Sequence, residues 1–386
     1  MQTKLEKGTL TVYLEGRIDS QNAPQIEKEL LSAVGASPDA SVVLDAEKLD
    51  YISSAGLRVL LKLRKTSDKP VPVVNVSPEV YEIFSVTGFT ELMEVRRRLR
   101  EVSVEGLKVV GRGATATVYR IDPDTVVKVF NPGTSPAVIQ QENERSRNAF
   151  VSGIPTAIAF DLVKVGDSFG SVYELLNAKD FLAVMESDKE HLDSLIRGFA
   201  RLMRKMHGIK VDPAKFPPSK QNSLAALPML GAVCTPEEIE KLRAFYETVP
   251  DRDTFIHADC HPGNVMIQNG EYVFIDLMTC GSGHPIFDMS SMCIIYHIAP
   301  SRKSPYTVNF TDEEIKLIWD SYLRGYFETD DEAFLRKAER QITAFAAARN
   351  LFAAVFVPGI MTPERLEYMK KIALDYIDEG LEPICF

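Results

Sequence analysis

The sequence predicts a two-domain protein: a small α/β domain followed by a larger, two-lobed α+β domain whose strands precede its helices. Three observations predict this. A chain of 386 residues is long for one domain at about 150 residues each. Over the first hundred residues, short apolar strand-like runs alternate with helical ones. From Val102 onward three β-like runs follow in close succession, and the chain then becomes mostly helical. Alternation of strand and helix folds as one covered sheet, whereas strands first and helices later segregate into lobes.

Residues 9–14 alternate as a strand, and residues 22–34 place Ile26, Leu30 and Val34 on one helical face. Residues 41–44 form an apolar strand run. Residues 54–63 are helical with Leu57, Leu60 and Leu61 on one side, and residues 71–76 read as another strand. Residues 78–84 open a helix with proline in its first turn, where a missing amide costs nothing. Arg96-Arg97-Arg98-Leu99-Arg100 is too short a basic run to favour a phosphate or lipid patch over a solvated linker. Beyond it, residues 104–110, 117–121 and 126–130 are β-like runs separated by Gly-rich and Asp-Pro turns. Residues 136–151 are helical, 172–176 are a further strand, and after Leu192 only 265–277 interrupts the helical pattern. The expected domains are 1–101 and 102–386, the second with a strand-rich lobe over 102–177 and a helical lobe over 178–386.

Hydrophobic residues are 45% and charged residues 25%, values of folded rather than disordered protein. The net charge of −10 divides as −1 over residues 1–103 and −9 over the rest. Such a chain is a poor partner for nucleic acid or an anionic membrane, so any nucleotide phosphate must be held by local devices. The start is polar and alternating, without the apolar core of a signal peptide. The apolar stretch 345–360 is interrupted by Arg349 and Asn350 and is too short to span a bilayer. Five cysteines, at 234, 260, 280, 293 and 385, contain no CxxC pair, which fits a reducing cytoplasm.

The richest segment is His257-Ala-Asp259-Cys-His-Pro-Gly-Asn264, followed by Phe274-Ile-Asp276. Phosphoryl transfer needs a carboxylate to orient an acceptor hydroxyl and take its proton, and oxygen ligands to hold Mg²⁺ on the phosphates. Asp259, Asn264 and Asp276 supply those groups in order. Upstream, Gly111-Arg-Gly113-Ala-Thr-Ala-Thr-Val118 lies between two strands, where backbone amides can close over phosphates and Val118 can cover a base. Lys128 on the next strand can reach the α- and β-phosphates, with Glu142 as its partner and Glu144 as the alternative.

With these motifs, and with Leu202-Met-Arg-Lys-Met-His207, Tyr173-Glu174-Leu-Leu176 and Gly283-His-Pro-Ile-Phe-Asp288, the chain resembles the aminoglycoside phosphotransferase/choline kinase-like branch of the protein-kinase-like fold from Val104 onward. The resemblance implies a bilobal kinase-like domain using ATP or GTP with Mg²⁺. Asp259 would be the catalytic base, Asn264 and Asp276 the metal ligands, and Lys128 the phosphate contact. Glu174 would lie in the hinge strand facing adenine, and Asp288 would steady the catalytic loop. Ala116 replaces a third loop glycine, Ala258 stands where protein kinases carry arginine, and no Ala-Pro-Glu segment follows. These departures favour a small-molecule kinase. The soft donors His257, Cys260, His261, Cys280 and His284 match no zinc-finger spacing, so the histidines read as structural and Cys260 as a packed thiol.

In the first part, Leu49-Asp-Tyr-Ile-Ser53-Ser54-Ala-Gly56-Leu57 sets two serines at the start of a helix, the usual place for an N-cap. With Glu15-Gly16-Arg17-Ile18-Asp19, this segment resembles the STAS domain of bacterial anti-sigma-factor antagonists. That resemblance implies an α/β regulatory domain with a protein partner and makes Ser54 the phosphorylation candidate, although Ser53 and Ala55 depart from the family pattern. The expected whole is a cytoplasmic phosphotransferase acting on a hydroxyl of an amino-sugar, an amino-alcohol or a protein serine. The alternative is a signalling protein whose kinase-like part only senses nucleotide.

Overall fold

The computed structural model describes residues 1–386 apart from 68, 114, 299, 301–303 and 358. It comprises two compact units, Met1–Ser103 and Val104–Phe386, each with its own apolar core.

The first unit is a five-stranded sheet ordered β1 (Gln2–Glu6), β2 (Thr9–Ile18), β3 (Ser41–Ile52), β4 (Val73–Val76), β5 (Val95–Arg97). β1 and β2 form an antiparallel hairpin, and every later pairing is parallel. Parallel neighbours require crossovers, supplied by helices α1 (Ala23–Gly35), α2 (Ser54–Thr66), α3 (Pro78–Val86) and the single turn α4 (Phe89–Leu92). Leu10, Val12 and Leu14 of β2 and Val42, Leu44 and Ala46 of β3 alternate into the core. β3 continues well past the expected run at 41–44. Register shifts between Tyr13 and Arg17 of β2 reset the inward positions to Leu49 and Ile52, which hides the second half of β3 from a period-two reading.

The basic run is a second correction. Its first residues belong to β5, not to a linker, because Val95 pairs with Val73 while Arg96 and Arg97 remain exposed. The Arg97 guanidinium lies 4.0 Å over the Tyr81 ring. Positive charge on an edge strand also discourages further strand pairing.

In the second unit, strands β6 (Val109–Arg112), β7 (Ala116–Arg120), β8 (Thr125–Phe130), β9 (Ala159–Val165) and β10 (Ser168–Glu174) pair antiparallel in the order β9-β10-β8-β7-β6. β6 starts later than expected, since Val104 and Leu107 close a turn instead. Helix α5 (Pro136–Val151) follows β8, its Ser135 cap accepting from the Val138 amide at 3.4 Å. The helical lobe holds α6 (Phe181–Ser187), α7 (Leu192–Met206), α8 (Ser219–Ala226), α9 (Pro236–Glu247), α10 (Ile286–Cys293), α11 (Asp312–Phe327), α12 (Glu332–Phe356) and α13 (Pro363–Asp378). Its core gathers Phe199 and Met203 of α7, Trp319 and Tyr322 of α11, and Phe345 of α12. Short strands β11 (Lys179–Asp180), β12 (Phe255–Ile256), β13 (Val265–Gln268), β14 (Glu271–Phe274) and β15 (Gly281–Ser282) frame the loops between α9 and α10. β13 and β14 are joined by Asn269-Gly270, whose positive φ angles of 52° and 83° suit a tight hairpin. Among the described residues no helix is long and apolar enough to cross a membrane.

Gly56, in the first turn of α2, packs closely on the sheet of the first unit. A Cβ there would lie 2.7 Å from both Ile18 Cγ2 and Ile52 Cγ1. Gly56→Ala is therefore expected to destabilise this unit by about 1–3 kcal/mol through overpacking, although alanine is the better helix former. Hydrogen exchange on the full chain checks this as faster exchange in α2 and β3. Unchanged protection would mean that the two isoleucines yield without cost.

Candidate active site

Residues paired across antiparallel strands share a face of the sheet. The register sets Gly111 opposite Val118, Val118 opposite Lys128 and Lys128 opposite Ser171, so four strands contribute to one row. At its centre the Lys128 ammonium lies 2.6 Å from Glu142 Oε1 and 3.3 Å from Asp276 Oδ1. Glu142 belongs to the inward face of α5 with Ile139, Asn143, Ser146 and Ala149. Glu144, two residues on, is exposed and accepts from Gln140 instead. Burial works against the charge on Lys128, but the two carboxylates outweigh it and hold the ammonium above its ordinary pKa. Burial likewise raises the Glu142 carboxyl, and Lys128 opposes that rise. Tyr173 donates to Glu142 Oε1 at 3.3 Å, and burial keeps its hydroxyl protonated.

Gly111 and Gly113 edge this row. A Cβ on either would come no nearer than 3.7 Å to its neighbours, so packing does not demand glycine there and the space above the backbone is open. Ala114, inside the expected Gly-rich turn, lies outside the described residues. Glu174 is at the end of β10, where its carboxylate accepts from the Ile158 amide at 3.0 Å and its own amide donates back to Ile158 at 3.4 Å. The next amide, Leu175, donates to Asp124 at 2.7 Å. The Glu174 amide and one carboxylate oxygen are thus engaged with Ile158.

The loop carrying Asp259 is organised by Asp288, a fully buried carboxylate at the start of α10. Asp288 Oδ2 accepts from the His257 amide at 2.8 Å and from His207 Nε2 at 2.9 Å, and Oδ1 accepts from the Ala258 amide. Burial alone would raise this carboxyl, but His207 and the surrounding donors hold it below the usual carboxylate range. Ala258 adopts a left-handed conformation, φ 63°, which non-glycine residues rarely take. Arg349 of α12 donates to the Ala258 carbonyl and, at 2.8 Å, to both the Phe287 carbonyl and Ser290 Oγ. The loop is therefore held from both sides, and Asp259 projects outward with its carboxylate exposed.

Asn264 Nδ2 donates to the Asp259 carbonyl at 2.9 Å and reaches its Oδ2 at 3.3 Å. The Asn264 carbonyl accepts from Ile275 at 3.0 Å, which ties this loop to Asp276, itself left-handed at φ 61°. His257 Nε2 also meets the Ile275 carbonyl at 3.1 Å. From α5, Arg145 donates to the Met278 carbonyl, so the helix bearing Glu142 also holds the segment bearing Asp276. His261 packs tilted against Tyr306 at 4.5 Å between ring centres, accepts from Gly263, and burial lowers its pKa despite Asp259. Cys260 packs against Met203, and burial raises its thiol pKa far from the nucleophilic range.

Asn264 engages Asp259 through Nδ2, so its Oδ1 remains the acceptor of that side chain, and the Asp276 carboxylate is exposed. Among the described residues no three His, Cys, Asp or Glu side chains form a metal cage. Two protein oxygens suit Mg²⁺, which takes few protein ligands and completes its shell with water and phosphate. The residues present therefore fit that ion.

Beside Asp259 opens a cleft of about 640 Å³, lined in part by His261, Ile294, Tyr306, Arg349 and Phe352. Sequence reasoning placed Tyr173 in the hinge strand without its bond to Glu142, and missed Arg349 and Tyr306. The one available signal was Arg349 and Asn350 breaking the apolar run of α12.

Two stability predictions follow from these contacts. Asp288→Ala leaves two buried loop amides and His207 without their acceptor, and is expected to cost about 3–5 kcal/mol in denaturant unfolding. Full stability in that variant would remove Asp288 as the organising group. His284, fully buried, meets the Phe386 main-chain oxygen at 2.8 Å, and burial lowers its pKa from 6.5 to about 4. The unfolded chain therefore binds this proton first as pH falls. Stability is full above 6.5 and declines by up to about 3 kcal/mol on the way to 4. His284→Gln should flatten that slope when unfolding is measured across this range.

The sequence pattern of the Phosphotransferase enzyme family matches residues 106–336, and that of the STAS domain matches residues 1–102. Over 105 residues (26% of this chain and 88% of the relative) the chain is 39% identical to a Bordetella bronchiseptica protein assigned as an anti-sigma factor antagonist, BtrV. Over 98 residues (25% and 90%) it is 26% identical to the anti-sigma-B factor antagonist of Staphylococcus aureus. Among solved structures, the ADP-bound aminoglycoside phosphotransferase APH(2'')-Ib is 16% identical with a TM-score of 0.45, covering 72% of this chain and 94% of that one. A choline/ethanolamine kinase family protein from Mesorhizobium loti is 15% identical with a TM-score of 0.47, covering 71% and 92%. A family pattern spanning more than half of the chain, over the sheet and loops just described, makes this protein a member of the phosphotransferase enzyme family that carries a STAS domain ahead of its family region.

Proposed function

We propose that the second unit transfers the γ-phosphoryl group of ATP or GTP to a hydroxyl of an acceptor. The observation that carries this reading is the charged triad Lys128–Glu142–Asp276, at 2.6 and 3.3 Å, formed by three separate elements and opening toward the loop of Asp259 and Asn264. A buried lysine kept charged by a carboxylate on a packed helix is a fixed cation for the α- and β-phosphates. Gly111, Gly113 and Val118 border the same row and receive the nucleotide. The exposed Asp259 carboxylate takes the acceptor's hydroxyl proton as that oxygen bonds to the γ-phosphorus and the bond to the β–γ bridging oxygen breaks. Asn264 and Asp276 would hold Mg²⁺, which would supply neutralising charge to the phosphate oxygens when bound. Arg349 and Asp288 act one step back, fixing the backbone on which Asp259 stands.

The first unit is proposed as the regulatory part, with a protein partner. The N-cap of α2 is Ser53, whose hydroxyl accepts from the Ala55 and Gly56 amides at 3.2 and 3.4 Å. Ser54, next to it, is exposed and is not needed as the cap, which supports it as the hydroxyl open to phosphorylation. A phosphate there would meet the positive end of the helix.

Asp259→Asn is expected to lower phosphate transfer by about 10³-fold while leaving ADP affinity within a few-fold. Release of ADP from ATP and Mg²⁺, measured with a panel of hydroxyl acceptors, checks this. Unchanged turnover in the variant would remove Asp259 from the chemistry. Nucleotide binding without transfer to any acceptor in the parent protein would favour a nucleotide-sensing role.

A further inference from the structure

The cleft beside Asp259 has walls of a definite chemistry. Among the described residues lining it, Asp259 is the one carboxylate and Arg349 the one cation, and Arg349 is already engaged with the oxygens of Ala258, Phe287 and Ser290. The remaining polar lining, including Asn222 and Asn350, is uncharged, so the strong negative charge of this unit does not extend into the cleft. The apolar lining comprises Ile294 and Ile295 together with Phe352 and Phe356. The isoleucines open a π-helical turn, Ile294–Ile298, a geometry that recurs at functional sites. Phe352 and Phe356, one turn apart on α12, stack with ring centres 6.1 Å apart and an interplanar angle of 11°. Phe356 is 55% exposed, a large apolar surface at the lip of the cleft with no protein group over much of it.

From this composition we infer the acceptor's class: an uncharged alcohol with an apolar, ring-bearing body, its hydroxyl at Asp259 and its body against the isoleucines and the phenylalanine pair. Each ammonium of a polycationic amino-sugar entering this cleft would lose hydration, and among the described residues lining it only Asp259 offers a carboxylate in exchange, Asp180 and Asp276 acting on Tyr306 from outside the lining, while Arg349 repels it. An apolar ring gains by covering the exposed aromatic faces. About 640 Å³ is the scale of a site for one small molecule. The inference rests on the phosphotransferase reading for what happens to the hydroxyl, but not for what the cleft binds.

The test separates the two. Equilibrium dialysis of naphthylethanol, kanamycin and a serine hexapeptide is run against the full chain loaded with ADP and Mg²⁺. Naphthylethanol should bind saturably and at least about tenfold more tightly than kanamycin or the peptide. Phe352→Asp should weaken its binding by about tenfold. The exposed Phe356→Asp serves as the second variant, and ADP affinity checks that both fold. No saturable binding of naphthylethanol, or tighter binding of kanamycin or the peptide, overturns the inference. In the ATP and Mg²⁺ assay, preferential phosphorylation of naphthylethanol supports it and preferential phosphorylation of kanamycin or the peptide overturns it. Saturable, Phe352-dependent binding without transfer upholds the cleft's preference and counts instead against the transfer reading.

Discussion

The carboxylate of Asp288 lies out of reach of solvent and takes two consecutive main-chain amides and an imidazole as its partners. A buried charge is tolerable only when such donors surround it, and once they do it fixes their positions closely. Here the amides are those of His257 and Ala258, so Asp288 sets the backbone from which Asp259 projects. The left-handed turn at Ala258 persists because Arg349 holds the carbonyl of the same residue whose amide Asp288 holds. The cation that a protein kinase carries beside its catalytic aspartate is absent at position 258, and a cation arrives from α12 instead.

A similar economy operates across the lobes of the second unit. Lys128 comes from the sheet, Glu142 from α5 and Asp276 from the segment after the β13–β14 hairpin. Their ion pairing is reinforced by neutral contacts, since Phe274 donates to the Pro155 carbonyl at 2.7 Å and Thr156 Oγ donates to the Phe274 carbonyl at 2.9 Å. The connection after α5 therefore grips the strand that leads to Asp276. Three charged groups from three elements meet, the two carboxylates within 3.3 Å of the Lys128 ammonium, held by the packing of the elements that carry them.

The legible parts of this site are those whose chemistry is compact in sequence. Asp259, Asn264 and Asp276 fall within one short stretch, and Lys128 with Glu142 follows the Gly111–Gly113 turn closely, so order and spacing carry the signal. Helices with clean apolar faces and caps, such as α2 and α5, are equally readable. What escapes is long-range or irregular. Arg349 meets Ala258 across some ninety residues, and Tyr306 meets His261 across a segment without periodicity. Strand β9 mixes exposed Phe160 and Asp161 with buried Val163 and Val165 around a bulge, which blurs its alternation. β5 is masked by its own arginines, because an edge strand can leave them in water. Ser53 and Ser54 are both visible as helix-start residues, but only the geometry of the turn divides their labour.

Helix α12 carries Arg349, which holds the loop of Asp259, and three and seven residues further on Phe352 and Phe356, the aromatic surface of the cleft. Both lie beyond residue 336, where the family pattern ends. The cleft beside Asp259 is thus shared: Ile294, Ile295 and Tyr306 come from within the family region, and Phe352 and Phe356 from a helix that runs on beyond it. Kinship inferred from the shared stretch transfers chemistry without transferring a preference. On α12 the aromatic pair and Arg349 are separate side chains, so the apolar wall of the cleft can change at Phe352 or Phe356 while Arg349 keeps its hold on Ala258, Phe287 and Ser290.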